Sequence, residues 1–403
     1  MIDRRKRITV IGLGYIGLPT AALLASNGYS VNGMDINDHA VNTINEGKIH
    51  IVEPDLDLFV RSSVASGKLK AHTNVIAGDV YIICVPTPFH ENYEIPTPNI
   101  DYVLEAIESI CPHLKKGDIV ILESTSPVGT TEIIRDTIEK NGINTSEIFI
   151  AYCPERVLPG KIMIELVKNP RVIGGINSES TKVVSSFYKT FVEGEILETE
   201  AKTAEMCKLT ENSFRDVNIA FANELSVLCD NAGIDVWDLI KLANHHPRVN
   251  ILQPGTGVGG HCIAVDPWFI VSKDPKNSQL IKAARTINDS KPDWVISKIK
   301  TIADFKGTKK VACLGLAFKP NIDDLRESPA AKVVDSLQEQ GFAVSCVEPN
   351  IDHHESYKLI DINEAIDNFD IIVVLVKHNE FIESNVSIKL KRKEALDFCG
   401  VFN

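Results

Sequence analysis

A short apolar run, Ile8-Thr9-Val10-Ile11, passes directly into Gly12-Leu13-Gly14-Tyr15-Ile16-Gly17 and then into a helical stretch from Pro19 to Asn27 that Gly28 closes. Strand, glycine turn and helix in that order leave a chain few folds to choose from. The three glycines stand where a tight turn, a close ligand approach and close helix–strand packing each exclude a side chain. A second run, Ser30 to Met34, ends on Asp35, 18 residues beyond Gly17. A carboxylate at that strand tip accepts hydrogen bonds from a ribose diol and repels a 2′-phosphate. The unit is therefore predicted to hold NAD rather than NADP, with Gly12, Gly14, Tyr15, Ile16, Gly17 and Asp35 around it.

Further apolar runs at Val80 to Val85, Ile119 to Glu123 and Ile148 to Tyr152 alternate with helical patterns, which predicts a doubly wound parallel sheet. From Thr203 to Asn231 no proline or glycine interrupts a helical pattern bearing Met206, Leu209, Phe214, Val217, Phe221, Leu225 and Leu228. A pattern longer than about 25 residues points to a helix that links domains and offers a dimer surface. At Lys310 the strand-to-glycine pattern returns as Val311-Ala312-Cys313-Leu314-Gly315, and Ala330 to Gln340, Ala343 to Val347 and Asp370 to Val376 extend the alternation. The expected fold class is α/β: two Rossmann-like doubly wound parallel-sheet domains, 1–198 and 301–403, joined by a long central helix within a helical domain, 199–300.

A formal charge of -12 argues against nucleic acid or an anionic membrane as the main partner. The basic clusters Arg4-Arg5-Lys6-Arg7 and Lys389 to Lys393 read as solvated. Nine cysteines without a C-x-x-C pair read as reduced thiols in a cytoplasm. No apolar stretch approaches the roughly 20 residues of a membrane span, so a soluble cytoplasmic chain is expected. His245, His246, His261 and Cys262 show no closed zinc spacing, and no metal is expected.

Cys262 stands in Gly257-Val258-Gly259-Gly260-His261-Cys262-Ile263-Ala264-Val265-Asp266, beside three glycines and four residues before a carboxylate. On residue type alone it is either a nucleophile or an inert small core residue. Val85-Pro86-Thr87-Pro88 and Ser124-Thr125-Ser126-Pro127 follow strands; they either touch the nicotinamide half of the cofactor or merely end those strands. Lys208 and Asn212, spaced i, i+4, share one helix face. A cation and an amide there suit an alkoxide or oxyanion, and a solvated lysine is the plain alternative.

Taken together, GLGYIGLP (12–19), VPTP (85–88), ESTSPVGT (123–130), CPERVLPG (153–160), AEMCKLTENSFRDVNIAFANE (204–224), GVGGHCIAVDP (257–267) and GLAFKPNIDDLRESP (315–329) resemble the UDP-glucose/GDP-mannose dehydrogenase family, in order and over nearly the whole chain. HIVEPDL (50–56), NHHPRVNILQPG (244–255) and GGHCIAVDPWF (259–269) resemble the branch that acts on UDP-N-acetylhexosamines, the manno sugar ahead of the gluco sugar.

The resemblance implies an enzyme that oxidises a UDP-sugar C6 hydroxyl to a carboxylate with two NAD. It makes Cys262 the nucleophile that holds the aldehyde as a thiohemiacetal and then as a hydrolysable thioester. Lys208 and Asn212 then stabilise the oxyanion. Asp266 positions or deprotonates water or the C6 hydroxyl, Thr125 holds that water, and Glu155 is the base for thioester hydrolysis. Glu155, Arg156, Val157, Lys208, Asn212, Arg215, Gly259 and Lys319 are implied substrate contacts. Pro86, Thr87, Ser124, Thr125 and Arg326 belong to the cofactor side. Arg248 resembles an arginine that reaches a neighbouring subunit's substrate, which implies a homodimer. The sequence departs from the UDP-glucose pattern at Pro159, where a second glutamate is usual, and at His261, whose role as substrate contact, thiol activator or turn residue stays open. Two rival readings are a two-electron dehydrogenase without covalent catalysis and an NAD-binding scaffold without activity.

Overall fold

The computed structural model describes residues 5–90, 95–158, 160–260 and 262–403, so Pro159 and His261 lie outside the described residues. The chain divides into two compact units, Met1–Thr210 and Glu211–Asn403, and the division falls inside the 32-residue helix Ala201–Ala232.

The first unit is built on β1 (Arg7–Ile11), β2 (Ser30–Met34), β3 (Leu69–His72), β4 (Val80–Ile83), β5 (Ile119–Leu122), β6 (Phe149–Tyr152), β7 (Arg171–Gly175) and β8 (Ile196–Glu200). They form one eight-stranded sheet in the order β8-β7-β6-β5-β4-β1-β2-β3. The central strands β4 and β5 read VYII and IVIL and are buried at every position. Helices cover both faces of such a sheet, so continuous apolar runs are what it requires. Strand order reverses between β1 and β4, and in a doubly wound sheet ligands bind at the carboxyl ends beside that reversal.

The wholly parallel expectation is corrected at one place: β7 runs antiparallel to β6. Residues 153–170, with the helix Ile162–Lys168, return the chain alongside β6 in the opposite direction. The strands β3 and β8 carry exposed polar residues at the sheet edges, so they lack the apolar run by which the central strands are recognised.

The second unit continues with the helices Val236–Ala243, Asp266–Lys273 and Gln279–Lys306. Then follow β9 (Lys310–Leu314), β10 (Ala343–Val347), β11 (Ile371–Val374) and β12 (Leu396–Asp397), in the order β10-β9-β11-β12 and all parallel. Its core packs Val311, Cys313, Val333, Leu337 and Val373. Lys291 is buried here, with Nζ 2.6 Å from Ser226 Oγ and 3.6 Å from the centre of the Trp294 ring; burial brings its pKa down to about 7. Among the described residues, no helix is long and apolar enough to cross a membrane.

The repeat in the sequence is a repeat in geometry. Gly12 donates its N–H to Met34 O at 2.8 Å, and Gly315 donates to Val347 O at the same 2.8 Å. Both glycines have positive φ, +85° and +91°, where a side chain is strained. Each turn then meets an acid at the tip of the next strand: Leu13 N–H donates to Asp35 at 2.8 Å, and Leu316 N–H to Glu348 at 2.7 Å.

Candidate active site

In the first unit the glycine turn is shaped as the dinucleotide pattern demands. A Cβ on Gly12 would lie 2.7 Å from Cys84 O, and one on Gly17 would lie 1.7 Å from Gly12 O. A Cβ on Gly14 would meet nothing within 4 Å, so this peptide faces open space. The helix Gly17–Ser26 starts without a side-chain cap and without an acidic residue in its first turn. Its N–H groups and dipole are thereby left to an anion such as a pyrophosphate. The Asp35 carboxylate is pinned beside the turn by the amides of Leu13 at 2.8 Å and Asn37 at 2.9 Å. Each oxygen keeps a lone pair for a ribose hydroxyl, and the residues fit NAD. Tyr15 and Ile36 are exposed on either side of this acid in sequence, and burial holds the nearby His50 imidazole below its ordinary pKa, against the attraction of Asp35. Replacing Asp35 with alanine is expected to raise the KM for NAD about tenfold and to admit NADP, as read from NADH and NADPH formation. A wild-type enzyme that turns over equally with both cofactors would refute the role.

The two proline loops are tied to each other. Thr87 Oγ1 donates to Thr125 O at 2.7 Å, and Ser124 Oγ donates to Val85 O at 2.7 Å. These hydroxyl protons thus serve the loop, and any contact from Thr87 or Ser124 to a cofactor uses oxygen lone pairs. Glu205, one turn before Lys208 on the long helix, is buried and takes the amides of Gly129 at 2.6 Å and Thr131 at 2.8 Å. The loop bearing Ser124 and Thr125 is therefore anchored to the helix that bears the half-buried Lys208.

Glu155 lies directly after β6. It is buried, forms a short ion pair with the buried Arg171 and accepts the Arg156 amide at 2.7 Å. Service as a base requires it to leave that guanidinium. Glu123, at the end of β5, is buried nearby and accepts from Tyr188 at 2.5 Å; burial raises its pKa, while Arg171 opposes the rise. Burial also pushes the neighbouring Cys153 thiol up to about 12, so that thiol is inert.

In the second unit Cys262 is exposed and opens a helical turn, its carbonyl accepting from Val265 N at 3.0 Å and Asp266 N at 2.9 Å. The helix Asp266–Lys273 follows at once, and a thiolate near a helix N-terminus is favoured by the dipole. Asp266 is buried, and Asn212 Nδ2 donates to its Oδ2 at 2.5 Å across 54 residues of sequence. The amide expected at the oxyanion thus also orients the acid four residues after Cys262.

The glycine loop before Cys262 is seated tightly. A Cβ on Gly259 would lie 2.3 Å from Glu327 O, and one on Gly260 would lie 2.8 Å from the Phe318 ring. This packs the loop against the segment that carries Lys319 and Arg326. Lys319 is half-buried, whereas Arg326 is exposed and paired bidentately with Asp324, at 2.5 and 2.9 Å. Arg215 and Arg248 are exposed. Glu348 is engaged differently from Asp35. His378 donates to it from Nε2 at 3.1 Å, while its Nδ1 accepts the Asn321 amide at 3.0 Å. Burial alone would raise the Glu348 pKa, but His378 and the Leu316 amide bring it down to about 2.

Several residues around the site had no signal in the sequence. Asp216 and Arg285 form an ion pair with both side chains 0% exposed. Asn288 Nδ2 donates to Asp216 Oδ1 at 2.8 Å, Asn223 Nδ2 to Asn288 Oδ1 at 2.8 Å, and Asn223 Oδ1 accepts the Gly255 amide at 2.9 Å. The chain of bonds runs from a buried charge pair to the loop that holds Cys262. Each member is an ordinary polar residue in a helical pattern, and only the facing helix reveals its partner.

Comparison with known proteins matches three family models in order: the UDP-glucose/GDP-mannose dehydrogenase family NAD binding domain at residues 6–192, central domain at 202–290 and UDP binding domain at 312–403. The chain is 55% identical to a UDP-N-acetyl-D-mannosamine dehydrogenase of Campylobacter jejuni, covering 99% of this chain and 100% of that one. It is 49% identical to an NDP-N-acetyl-D-galactosaminuronic acid dehydrogenase of Ralstonia nicotianae, covering 99% and 96%. A solved UDP-N-acetyl-mannosamine dehydrogenase from S. aureus superposes with a TM-score of 0.89 at 41% identity, covering 98% of this chain and 99% of that one.

Proposed function

The chain belongs to the UDP-glucose/GDP-mannose dehydrogenase family, and on that premise we propose that it oxidises the C6 hydroxyl of UDP-N-acetyl-D-mannosamine to the carboxylate, giving UDP-N-acetyl-D-mannosaminuronate. The observation that supports the chemistry is Cys262, exposed at the head of a helix in the same turn as the Asp266 that Asn212 orients. The choice of sugar rests on the 55% identity to the Campylobacter jejuni enzyme.

Bound NAD supplies the hydride acceptor for both oxidations, alcohol to aldehyde and thiohemiacetal to thioester. Asp266 takes the proton of the C6 hydroxyl, and Lys208 and Asn212 stabilise the alkoxide that results. Cys262 adds to the aldehyde carbon and, after the second oxidation, leaves as thiolate when water attacks the thioester. Asp266 positions that water. Glu155 assists as base if Arg171 yields it, and with Arg156, Val157, Arg215, Gly259 and Lys319 it contacts the UDP-sugar.

The test is a side-by-side assay of NADH formation with UDP-N-acetylmannosamine, UDP-N-acetylglucosamine, UDP-N-acetylgalactosamine, UDP-glucose and GDP-mannose. Highest kcat/KM on the first, with two NADH per sugar, is the expected result. Higher turnover with any other sugar overturns the choice of substrate. One NADH per sugar overturns four-electron chemistry and favours a two-electron enzyme.

The same reading includes a homodimer in a reducing cytoplasm. Phe214, Phe221 and Leu228 stand seven residues apart on the long helix and are 68%, 54% and 54% exposed. A stripe of that spacing suits a second helix laid along it. Arg248 would then reach the neighbouring subunit's sugar. Replacing Phe214 and Phe221 together with glutamate is expected to yield monomers in sedimentation; an unchanged dimer peak would remove the helix from the interface. The nine cysteines, scattered without a C-x-x-C pair, suit a reducing compartment.

A further inference from the structure

The segment His50 to Leu56, read as HIVEPDL, has no task in the mechanism above. Glu53 within it is only 4% exposed and, among the described residues, meets no cation in an ion pair. Its carboxylate instead reaches across more than a hundred residues of sequence to accept the amides of Gly160 at 2.8 Å and Ile162 at 2.7 Å. The two amides before these are held in the same manner. Leu158 N–H donates to Glu165 Oε2 at 2.8 Å, and Arg156 N–H donates to Glu155 Oε1 at 2.7 Å.

Alternate amides at 156, 158, 160 and 162 therefore all end on carboxylates, supplied by three glutamates. Hydrogen bonds to an ionised acceptor are about twice as strong as neutral ones. Asn169 Nδ2 adds a bond to Arg156 O at 3.2 Å, and Arg156 Nη1 donates to Pro170 O at 3.2 Å. The described residues leading into the helix Ile162–Lys168, and the first residue of that helix, are thus held at alternate amides. Glu53 is the member of this set that comes from elsewhere in the chain, for Glu155 and Glu165 lie in or beside the loop itself.

We propose that Glu53 is a positioning residue for the sugar: by holding Gly160 and Ile162, at the start of the helix Ile162–Lys168, it fixes the backbone just beyond Glu155, Arg156 and Val157 and with it their placement. The proposal rests on the reading of those three as sugar contacts. It assigns a task to the HIVEPDL segment that composition alone did not suggest. Glu53→Gln keeps the shape of the side chain but turns an NH2 group toward a backbone donor, so one of the two amides loses its acceptor.

The experiment uses the full-length enzyme with UDP-N-acetylmannosamine. Glu53→Gln is expected to raise the KM for the sugar about tenfold while the NAD dissociation constant, read by titration without sugar, stays within about twofold. Hydrogen exchange at the 160 and 162 amides should accelerate in the same variant. Looser amides with an unchanged sugar KM would overturn the proposal, and so would a parallel loss of NAD and sugar binding, which marks a general structural role. Glu53→Asp, too short to span both amides, is expected to behave as Glu53→Gln; wild-type sugar KM in Glu53→Asp would also overturn it. Absence of turnover in the wild-type enzyme would instead count against the proposed substrate, so the two failures are distinct.

Discussion

Cys262→Ser lowers kcat by about three orders of magnitude or more while NAD binding stays within about twofold of wild type. The thiol is asked to do what a hydroxyl does poorly near neutral pH, which is to add to an aldehyde and then to leave from an acyl carbon. The thiol is exposed, and its carbonyl begins the turn into the helix Asp266–Lys273. The first oxidation needs no thiol, so at stoichiometric enzyme the variant releases at most one NADH per sugar where the wild type releases two. Full steady-state turnover in Cys262→Ser would refute covalent catalysis and restore the two-electron reading.

Arg285→Leu is expected to cost about 3–5 kcal/mol of stability, the usual loss when one partner of a buried ion pair is removed. Both side chains of the Arg285–Asp216 pair are 0% exposed, and among the described side chains the carboxylate that remains has only Asn288 to hold it. Burial already pushes the Asp216 pKa up to about 6 in the intact pair, and loss of the guanidinium raises it further. A carboxyl whose folded pKa exceeds its unfolded value gains stability from its proton at low pH and loses that gain as pH rises through the folded pKa. The destabilisation read by urea unfolding should therefore shrink as pH is lowered through the Asp216 pKa. Asp216→Leu/Arg285→Leu should recover most of the loss because no buried charge is left alone. A single variant within about 1 kcal/mol of wild type would show that the pair carries no such weight. Because Asn288 and Asn223 relay the pair to the Gly255 amide, the single variant should also lower kcat.

Local chemistry was readable along the chain. The glycine turn and Asp35 obey constraints set within about thirty residues, and the structure places them as those constraints require. The long helix, the second glycine turn and the central apolar strands were legible for the same reason: a period of 3.6 or an unbroken apolar run is visible without a partner. Edge strands such as β8, with Glu198 and Glu200, carry no such run. The antiparallel β7 depends on where the chain returns, which no local pattern encodes.

The site divides along the same line. The family resemblance points to Cys262, Lys208, Asn212 and Asp266 as a chemical set, and the glycine turn with Asp35 points to NAD as the cofactor of the first unit. Only the fold brings Asn212 to Asp266, Arg171 to Glu155, Glu53 to the 155–162 loop and Arg285 to Asp216. A turn or a helix period is decided by neighbours in sequence, so it can be read from them. A buried polar group needs a partner, and the packing of distant elements delivers that partner, so its identity exists only in three dimensions.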